Sequence, residues 1–288
     1  MTFDPNANPC LPLLKSIKSA RRPAVAILRE QGVNGHVEMA RCFHRVGFIT
    51  VDVHMTDILS SKVSLSKFAG LACPGGFSYG DVLGAGAGWA KSILLNSHAR
   101  KEFVEFFNRT NAFTLGVCNG CQMLSGLKEI IPGAESWPQF LRNASEQFEA
   151  RVCTLEVLPN TSPLLRGMNG SRLPVAVAHG EGRASFQTPS DMTRTVTQQR
   201  VCVRYVTNYG SPASPESYPL NPNGSPLGIA GVVAAEGRVV AMMPHPERVV
   251  RNIENTWGAG RYPWSAGDIG GWARMFENAR LWVEEVGY

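Results

Sequence analysis

No stretch of this 288-residue sequence reaches the roughly 18 apolar residues that a membrane-crossing helix requires. Met1 to Pro9 carry neither Lys nor Arg and lead into no apolar run of the signal-peptide kind. Lys and Arg form no run longer than a pair and the net charge is only +5, so no nucleic-acid footprint is visible. Internal repeats and low-complexity segments are absent as well. These absences lead us to expect a soluble, cytoplasmic protein, and the length suits one large domain or two small ones.

Cysteine is the exception to this plainness. There are seven: Cys10, Cys42, Cys73, Cys118, Cys121, Cys153 and Cys202. The number is odd and most sit in apolar segments, which suits reduced, cytosolic usage, where free Cys behaves as a small core residue.

Residues 1–22 show no convincing periodicity and are expected to be a linker or arm, ahead of a domain spanning 23–288. Ala24 to Leu28, Phe48 to Val53, Leu71 to Cys73 and Phe113 to Val117 are short apolar runs of the buried-strand kind. Between them, Val37, Ala40, Phe43 and Val46 recur at helical spacing before Gly47, and Glu102 to Phe107 belong to a second helix. This alternation predicts an α/β fold, a three-layer arrangement of a parallel-type sheet with helices on both faces. After residue 150 strands dominate: Val152 to Leu158, Val175 to Ala178, Val201 to Val206, Gly228 to Val233 and Val239 to Met243. The last 17 residues form an amphipathic helix with Trp272, Met275, Phe276, Ala279 and Trp282 on its core stripe.

The most informative segment is Thr114-Leu115-Gly116-Val117-Cys118-Asn119-Gly120-Cys121-Gln122, an apolar strand running through G-x-C-x-G into a helix. That is the nucleophile-elbow pattern with Cys for Ser. A sharp strand-to-helix turn sets the sulfur at a helix N-terminus, where backbone N–H groups favour the thiolate, and places the Asn119 N–H as an oxyanion donor. Three other readings stand beside it: a structural buried Cys, a redox C-x-x-C with Cys121, and a zinc site, the last lacking a second ligand pair at suitable spacing.

A base for such a Cys is found after the strand Val239 to Met243, in Pro244-His245-Pro246-Glu247-Arg248. His245 and Glu247 are two apart, so extended backbone would put both on one face, and the flanking prolines restrict it. Both Cys118 and His245 close parallel-type strands, whose carboxyl ends share one edge. Cys73-Pro74-Gly75-Gly76-Phe77-Ser78-Tyr79-Gly80-Asp81 is too glycine-rich for a helix start, and Gly75 or Gly76 would supply the second oxyanion donor. Gly84 to Gly88 with Lys91 offers a rival reading as a phosphate loop, without the Gly-Lys juxtaposition that a Walker loop has. His179-Gly180-Glu181-Gly182 follows another apolar strand, as a site edge or a solvated turn. Gln122 lies one helical turn past Cys118, for substrate contact or merely on the helix surface.

Together, G-V-C-N-G-C-Q at 116–122, P-G-G-F-S-Y-G-D at 74–81 and P-H-P-E-R at 244–248 resemble the class I glutamine amidotransferases. R-E-Q-G-V-N-G at 29–35, A-H-G-E-G-R at 178–183 and N-P-N-G-S at 221–225 are similar to one branch, the glutaminase domains of phosphoribosylformylglycinamidine synthase in purine biosynthesis. The resemblance runs from about residue 22 to the C-terminus. It implies a flavodoxin-like architecture and cleavage of glutamine through a glutamyl thioester on Cys118, with His245 as base and Glu247 as its orienter. It implies that the glycine loop, Gln122 and His179 hold glutamine. No cofactor is implied in this domain; ATP and Mg belong to the synthetase domain or subunit that receives the ammonia and converts formylglycinamide ribonucleotide to its amidine. In that branch the glutaminase is either a short separate chain or the end of a long one, and the segment before residue 22 suits the long form. An inactive module of this fold would lack the nucleophile or base. A protease-like cysteine hydrolase would leave Pro246-Glu247 and N-P-N-G-S unexplained. A pure docking domain would not need Cys118.

Overall fold

In the computed structural model the described residues are 1–16, 22–256 and 267–288. A nine-stranded sheet runs through the molecule. Its first half is parallel. Strand β1 (Ala24–Arg29) lies between β2 (Ile49–His54) and β3 (Gly70–Cys73), and β4 (Phe113–Val117) continues the sheet beside β3. The chain therefore goes outward from β1 to β2, then returns across β1 to β3, a topological switch of the kind that opens a crevice beyond the strands' carboxyl ends. Ahead of β1 stands a short helix, α1 (Leu11–Ser16). Helix α2 (His36–Arg45) makes the first crossover. Its buried stripe is Met39, Cys42 and Phe43, continued by Val46, while Val37 is 69% exposed. The expected helix is therefore present but rotated, with i, i+3, i+4 and i+7 at Met39, Cys42, Phe43 and Val46 facing the core.

A short helix, α3 (Met55–Leu59), follows β2 directly. Helices α4 (Ala87–Leu94), α5 (Ser97–Asn108) and α6 (Asn119–Gly126) come next, with α4 packed against both of the others. Asn96 caps α5 by accepting from the Ala99 N–H at 2.9 Å, which satisfies one of the donors a helix start leaves open. Gly86, at φ 73, is explained here: a Cβ would lie 2.6 Å from the Met123 nitrogen and 2.7 Å from the Gln122 Cβ. Gly86 thus lets the start of α4 touch α6, a packing role where the phosphate-loop reading saw a ligand.

The second half of the sheet is antiparallel. The strands run β5 (Gln139–Arg142), β6 (Glu149–Val157), β7 (Arg172–His179), β8 (Glu181–Ser185), β9 (Val201–Tyr205), β10 (Ile229–Ala234) and β11 (Val239–Met242). β11 runs parallel to β4, with Met242 opposite Val117, and β10, β9, β6 and β7 follow in antiparallel pairs. β5 and β8 form a separate two-stranded ribbon. Helix α7 (Pro189–Thr197) connects β8 to β9. The parallel-type reading therefore holds for β1 to β4 and β11, while hairpins in the second half dictate antiparallel pairing. Burial follows position in the sheet: the central strands β3, β4, β11 and β10 are buried at every residue, whereas β6 and β7 toward one end alternate, as a sheet with one wetter face does.

Helix α8 (Ala273–Val286) closes the core with the expected stripe, all of it buried. Phe276 meets Phe43 edge-on at 5.0 Å, and Phe43 stacks on Phe113 at 5.6 Å, which ties α8 and α2 to the parallel half. Residues 4–10 are tied to α8: the Cys10 thiol donates to the Glu277 carbonyl at 3.2 Å and Arg274 donates to the carbonyls of Asp4 and Ala7. Part of the segment expected as a linker, residues 17–21, lies outside the described residues. Among the described residues no helix is long and apolar enough to cross a membrane.

Candidate active site

The register of β3, β4 and β11 decides where the chemistry gathers. Cys73 is opposite Gly116 and Met242 opposite Val117, so the loops leaving all three strands emerge at one edge. Cys118 caps β4 at φ 52, ψ −111, a left-handed region that a non-glycine residue enters only at a cost of roughly 1–3 kcal/mol. The strain is held by its neighbours: the Cys118 N–H donates to the Met242 carbonyl at 3.0 Å, and the Cys118 carbonyl accepts from Gln122 at 3.0 Å, opening α6. Gly120 shows how tight the elbow is, since a Cβ there would lie 1.9 Å from the Cys73 carbonyl oxygen.

His245 leaves β11 and is held by its N–H donating to the Ala176 carbonyl at 2.8 Å. Its Nδ1 lies 2.7 Å from Glu247 Oε1, and both side chains are enclosed. The backbone here is not the extended one expected from the two-residue spacing: Pro246–Arg248 is a single 3₁₀ turn, and that turn folds the carboxylate back onto the ring. His245 Nε2 has no other hydrogen-bond partner among the described residues. Burial pushes the imidazole down, but the Glu247 and Cys118 charges outweigh it and raise His245 to about 10. Burial pushes the Cys118 thiol up, yet the charge of His245 and hydrogen bonding from His179 and His245 bring it down to about 6. The other cysteines behave oppositely. Burial raises Cys10, Cys42, Cys73, Cys121, Cys153 and Cys202, and all seven are free thiols, so the C-x-x-C pair is not a disulfide.

The glycine loop sits directly over the elbow. A Cβ on Gly75 would lie 2.7 Å from His245 Cε1 and 3.2 Å from Cys118 Cβ, so only a bare backbone fits between them. The Gly75 carbonyl accepts from the N–H groups of Asn34 and Gly35, and Gly76 is pressed against Val33 and Asn34. Asn119 reaches the loop through its side chain, accepting from the Ser78 N–H at 3.1 Å. Gln122 is buried, not on the helix surface, and donates to the Glu181 carbonyl. His179 is 3% exposed at the end of β7, beside the Ala178 carbonyl that stands 3.8 Å from Cys118 Sγ. All eight residues named from the sequence therefore gather in one cluster beyond the ends of β3, β4, β7 and β11.

Three residues were missed. Glu30, buried after β1, accepts from the Tyr79 hydroxyl at 2.7 Å and so anchors the glycine loop. Asp81 lies beside Asn119, and burial, Glu181 and Cys118 raise its carboxyl to about 6. Asn223 joins His179 Nε2 at 2.8 Å from 44 residues away. A buried carboxylate directly after an apolar strand was the available signal for Glu30; Asp81 and Asn223 stood inside motifs but carried no pattern of their own.

With this geometry in view, the comparison of the sequence is decisive. Residues 22–283 match the family of CobB/CobQ-like glutamine amidotransferase domains. The chain belongs to that family. Among solved structures, the amidotransferase is similar to PurLQS from Thermotoga maritima, at 24% identity and a TM-score of 0.67, over 92% of this chain and 100% of that one. A Thermoplasma acidophilum protein described as a GMP synthase subunit is similar at 13% identity and a TM-score of 0.51, over 92% of this chain and 96% of that one. At such identities the likeness concerns the fold, and it agrees with the α/β architecture described for the amidotransferase.

Proposed function

We propose that this amidotransferase is the glutaminase domain of phosphoribosylformylglycinamidine synthase and that Cys118, His245 and Glu247 perform its chemistry. The observation that carries the reading is the strained Cys118 held at a helix start beside an imidazole that a buried carboxylate orients at 2.7 Å. The thiolate of Cys118 adds to the side-chain carbonyl carbon of glutamine. The Asn119 N–H and the glycine loop at Gly75 or Gly76 receive the oxyanion. The His245 imidazolium then gives its proton to the departing nitrogen, the C–N bond breaks, and ammonia and a γ-glutamyl thioester remain. Neutral His245 takes a proton from water as its oxygen adds to the thioester, glutamate leaves, and the thiolate and imidazolium are restored.

The branch assignment rests on R-E-Q-G-V-N-G, A-H-G-E-G-R and N-P-N-G-S; the hydrogen bonds of Glu30 to Tyr79 on the glycine loop and of His179 to Asn223 support it. In this reading the chain needs no cofactor, and ammonia passes to an ATP- and Mg-dependent synthetase, a separate domain or chain that converts formylglycinamide ribonucleotide. Gln122 and His179 are assigned to the glutamine pocket. An electrophilic glutamine analogue, mapped over all seven cysteines with glutamine as competitor, tests the central step. Labelling of Cys118 that glutamine blocks is expected. Unselective, unprotected labelling even with the synthetase present would sink the reading.

A further inference from the structure

The glycine loop is moulded against the turn that follows β1. Asn34 and Gly35 donate their N–H groups to the Gly75 carbonyl at 3.2 and 2.9 Å, Phe77 donates to the Gly32 carbonyl at 2.9 Å, and Tyr79 donates to the Gln31 carbonyl at 2.9 Å. No side chain could stand between the two segments. A Cβ on Gly32 would lie 2.1 Å from the Phe77 carbonyl oxygen, and one on Gly76 would lie 2.5 Å from the Val33 Cα. The N–H groups of Gly75 and Gly76 make no hydrogen bond among the described residues, so both remain free donors.

Past Phe77 the loop is strained. Tyr79, Gly80 and Asp81 have φ of 54°, 62° and 57°, three left-handed residues in a row of which two carry a Cβ. Such a run persists only where its surroundings hold it. The Tyr79 side chain supplies that hold: its hydroxyl donates to Glu30 Oε2 at 2.7 Å, and its ring lies so close to α4 that a Cβ on Gly88 would stand 2.7 Å from Cδ2. Glu30 is only 4% exposed and is itself fixed, since Oε1 accepts from the Gln31 N–H at 2.8 Å and has His54 Nε2 3.8 Å away. A hydroxyl donating to an ionised carboxylate makes one of the stronger hydrogen bonds. Burial and the Glu30 contact push the Tyr79 phenol up to about 12, so it keeps the hydrogen it donates.

We propose that Tyr79 and Glu30 are positioning residues, whose hydrogen bond locks the glycine loop in the left-handed turn that keeps the Gly75 and Gly76 N–H groups unpaired above Cys118. The catalytic meaning rests on the glutaminase reading, in which those donors receive the oxyanion. Both side chains act through the loop. Their loss therefore weakens the tetrahedral adduct, where the oxyanion forms, and spares the thiolate and the ground-state binding of glutamine.

Two reactions of the same thiol separate these effects. Iodoacetamide alkylates Cys118 by displacement at a saturated carbon and forms no oxyanion. Glutamate γ-semialdehyde takes the thiol onto its carbonyl carbon and leaves an oxygen in the oxyanion position. The test follows Cys118 alkylation across pH by peptide mass spectrometry, with the semialdehyde or glutamine as protectant, in the wild type, Tyr79→Phe and Glu30→Gln. In Tyr79→Phe the semialdehyde is expected to protect about tenfold more weakly, a part of what removing an oxyanion donor outright costs. The alkylation profile and protection by glutamine are expected to stay as in the wild type. Glu30→Gln keeps an acceptor for the hydroxyl without the charge, so its semialdehyde protection should fall between the two.

Should Tyr79→Phe fail to fold, Glu30→Gln decides alone. Unchanged semialdehyde protection in the variant that folds would overturn the proposal, as would an equal loss of semialdehyde and glutamine protection. The glutaminase reading fails separately: a wild type that neither compound protects, even with the synthetase present, would remove the substrate and this proposal with it.

Discussion

The two halves of the sheet contribute to the crevice in different ways. The parallel half delivers its residues by strand order: β3, β4 and β11 all end at one edge, and each is followed at once by a segment of the proposed site, at Gly75, Cys118 and His245. The antiparallel half delivers through side-chain hubs. Asn143 donates to the carbonyls of His179 and Gln147 and accepts from the Gly182 N–H, while Asn223 and Asn221 bind the turns around it. The first half therefore fixes Cys118 and His245 with backbone geometry, and the second fixes their surroundings with buried amides. A parallel sheet gives every strand end the same direction, whereas an antiparallel one alternates them and must bring the chain back by turns.

This contrast is sharpest at Cys118, the proposed nucleophile. Cys118→Ala should abolish glutamine hydrolysis, measured as ammonia release, while the melting temperature stays close to that of the wild type; retained hydrolysis would move the chemistry elsewhere. Glu247→Gln should lower kcat by about a hundredfold or more, because the ring loses both its tautomer and its partner charge. The pH profile gives the sign: the thiolate–imidazolium pair that the proposed chemistry needs exists between about 6 and about 10, so activity should fall as Cys118 is protonated below that window and as His245 loses its proton above it. In Glu247→Gln the Cys118 midpoint should rise, and the alkylation profile would show it.

Stability separates the halves next. Gly120→Ala forces a Cβ into the Cys73 carbonyl and should cost about 1–3 kcal/mol or more in denaturant unfolding, with activity lost as the elbow shifts. Asn143→Ala removes a buried hub and should cost about 1–3 kcal/mol, with a smaller activity loss, since β4 and β11 are untouched. Equal activity losses in these two variants would break the comparison. The smallest effect is expected for Glu181→Gln: with that charge gone, the Asp81 carboxyl should titrate lower, as carbon-13 NMR would report.

Much of the site was legible because its residues announce themselves locally. G-x-C-x-G after an apolar strand and H-P-E after another are patterns within seven residues, and the glycine loop is one as well. Glu30, Asp81 and Asn223 were not, since each acts through a partner far along the chain, as Asn223 does on His179. The helix after β1 was legible in extent but not in face: Val37 fits a three-residue spacing as well as Met39 fits the true stripe, and only the burial of Met39 and Cys42 in the core, with Val37 left outside, distinguishes them.

What the sequence by itself determined is the alternation of buried strands and helices up to β4, the elbow at Cys118, and the chemical types needed around it. Those follow from short-range periodicity and from the steric demands of a turn that admits only glycine beside it. Tertiary structure alone decided the antiparallel completion of the sheet, the 3₁₀ turn that brings Glu247 onto His245, and the meeting of His179 with Asn223 beside the sulfur. Each of these depends on which strand pairs with which, and pairing energies are shared among residues too distant in sequence to leave a local pattern.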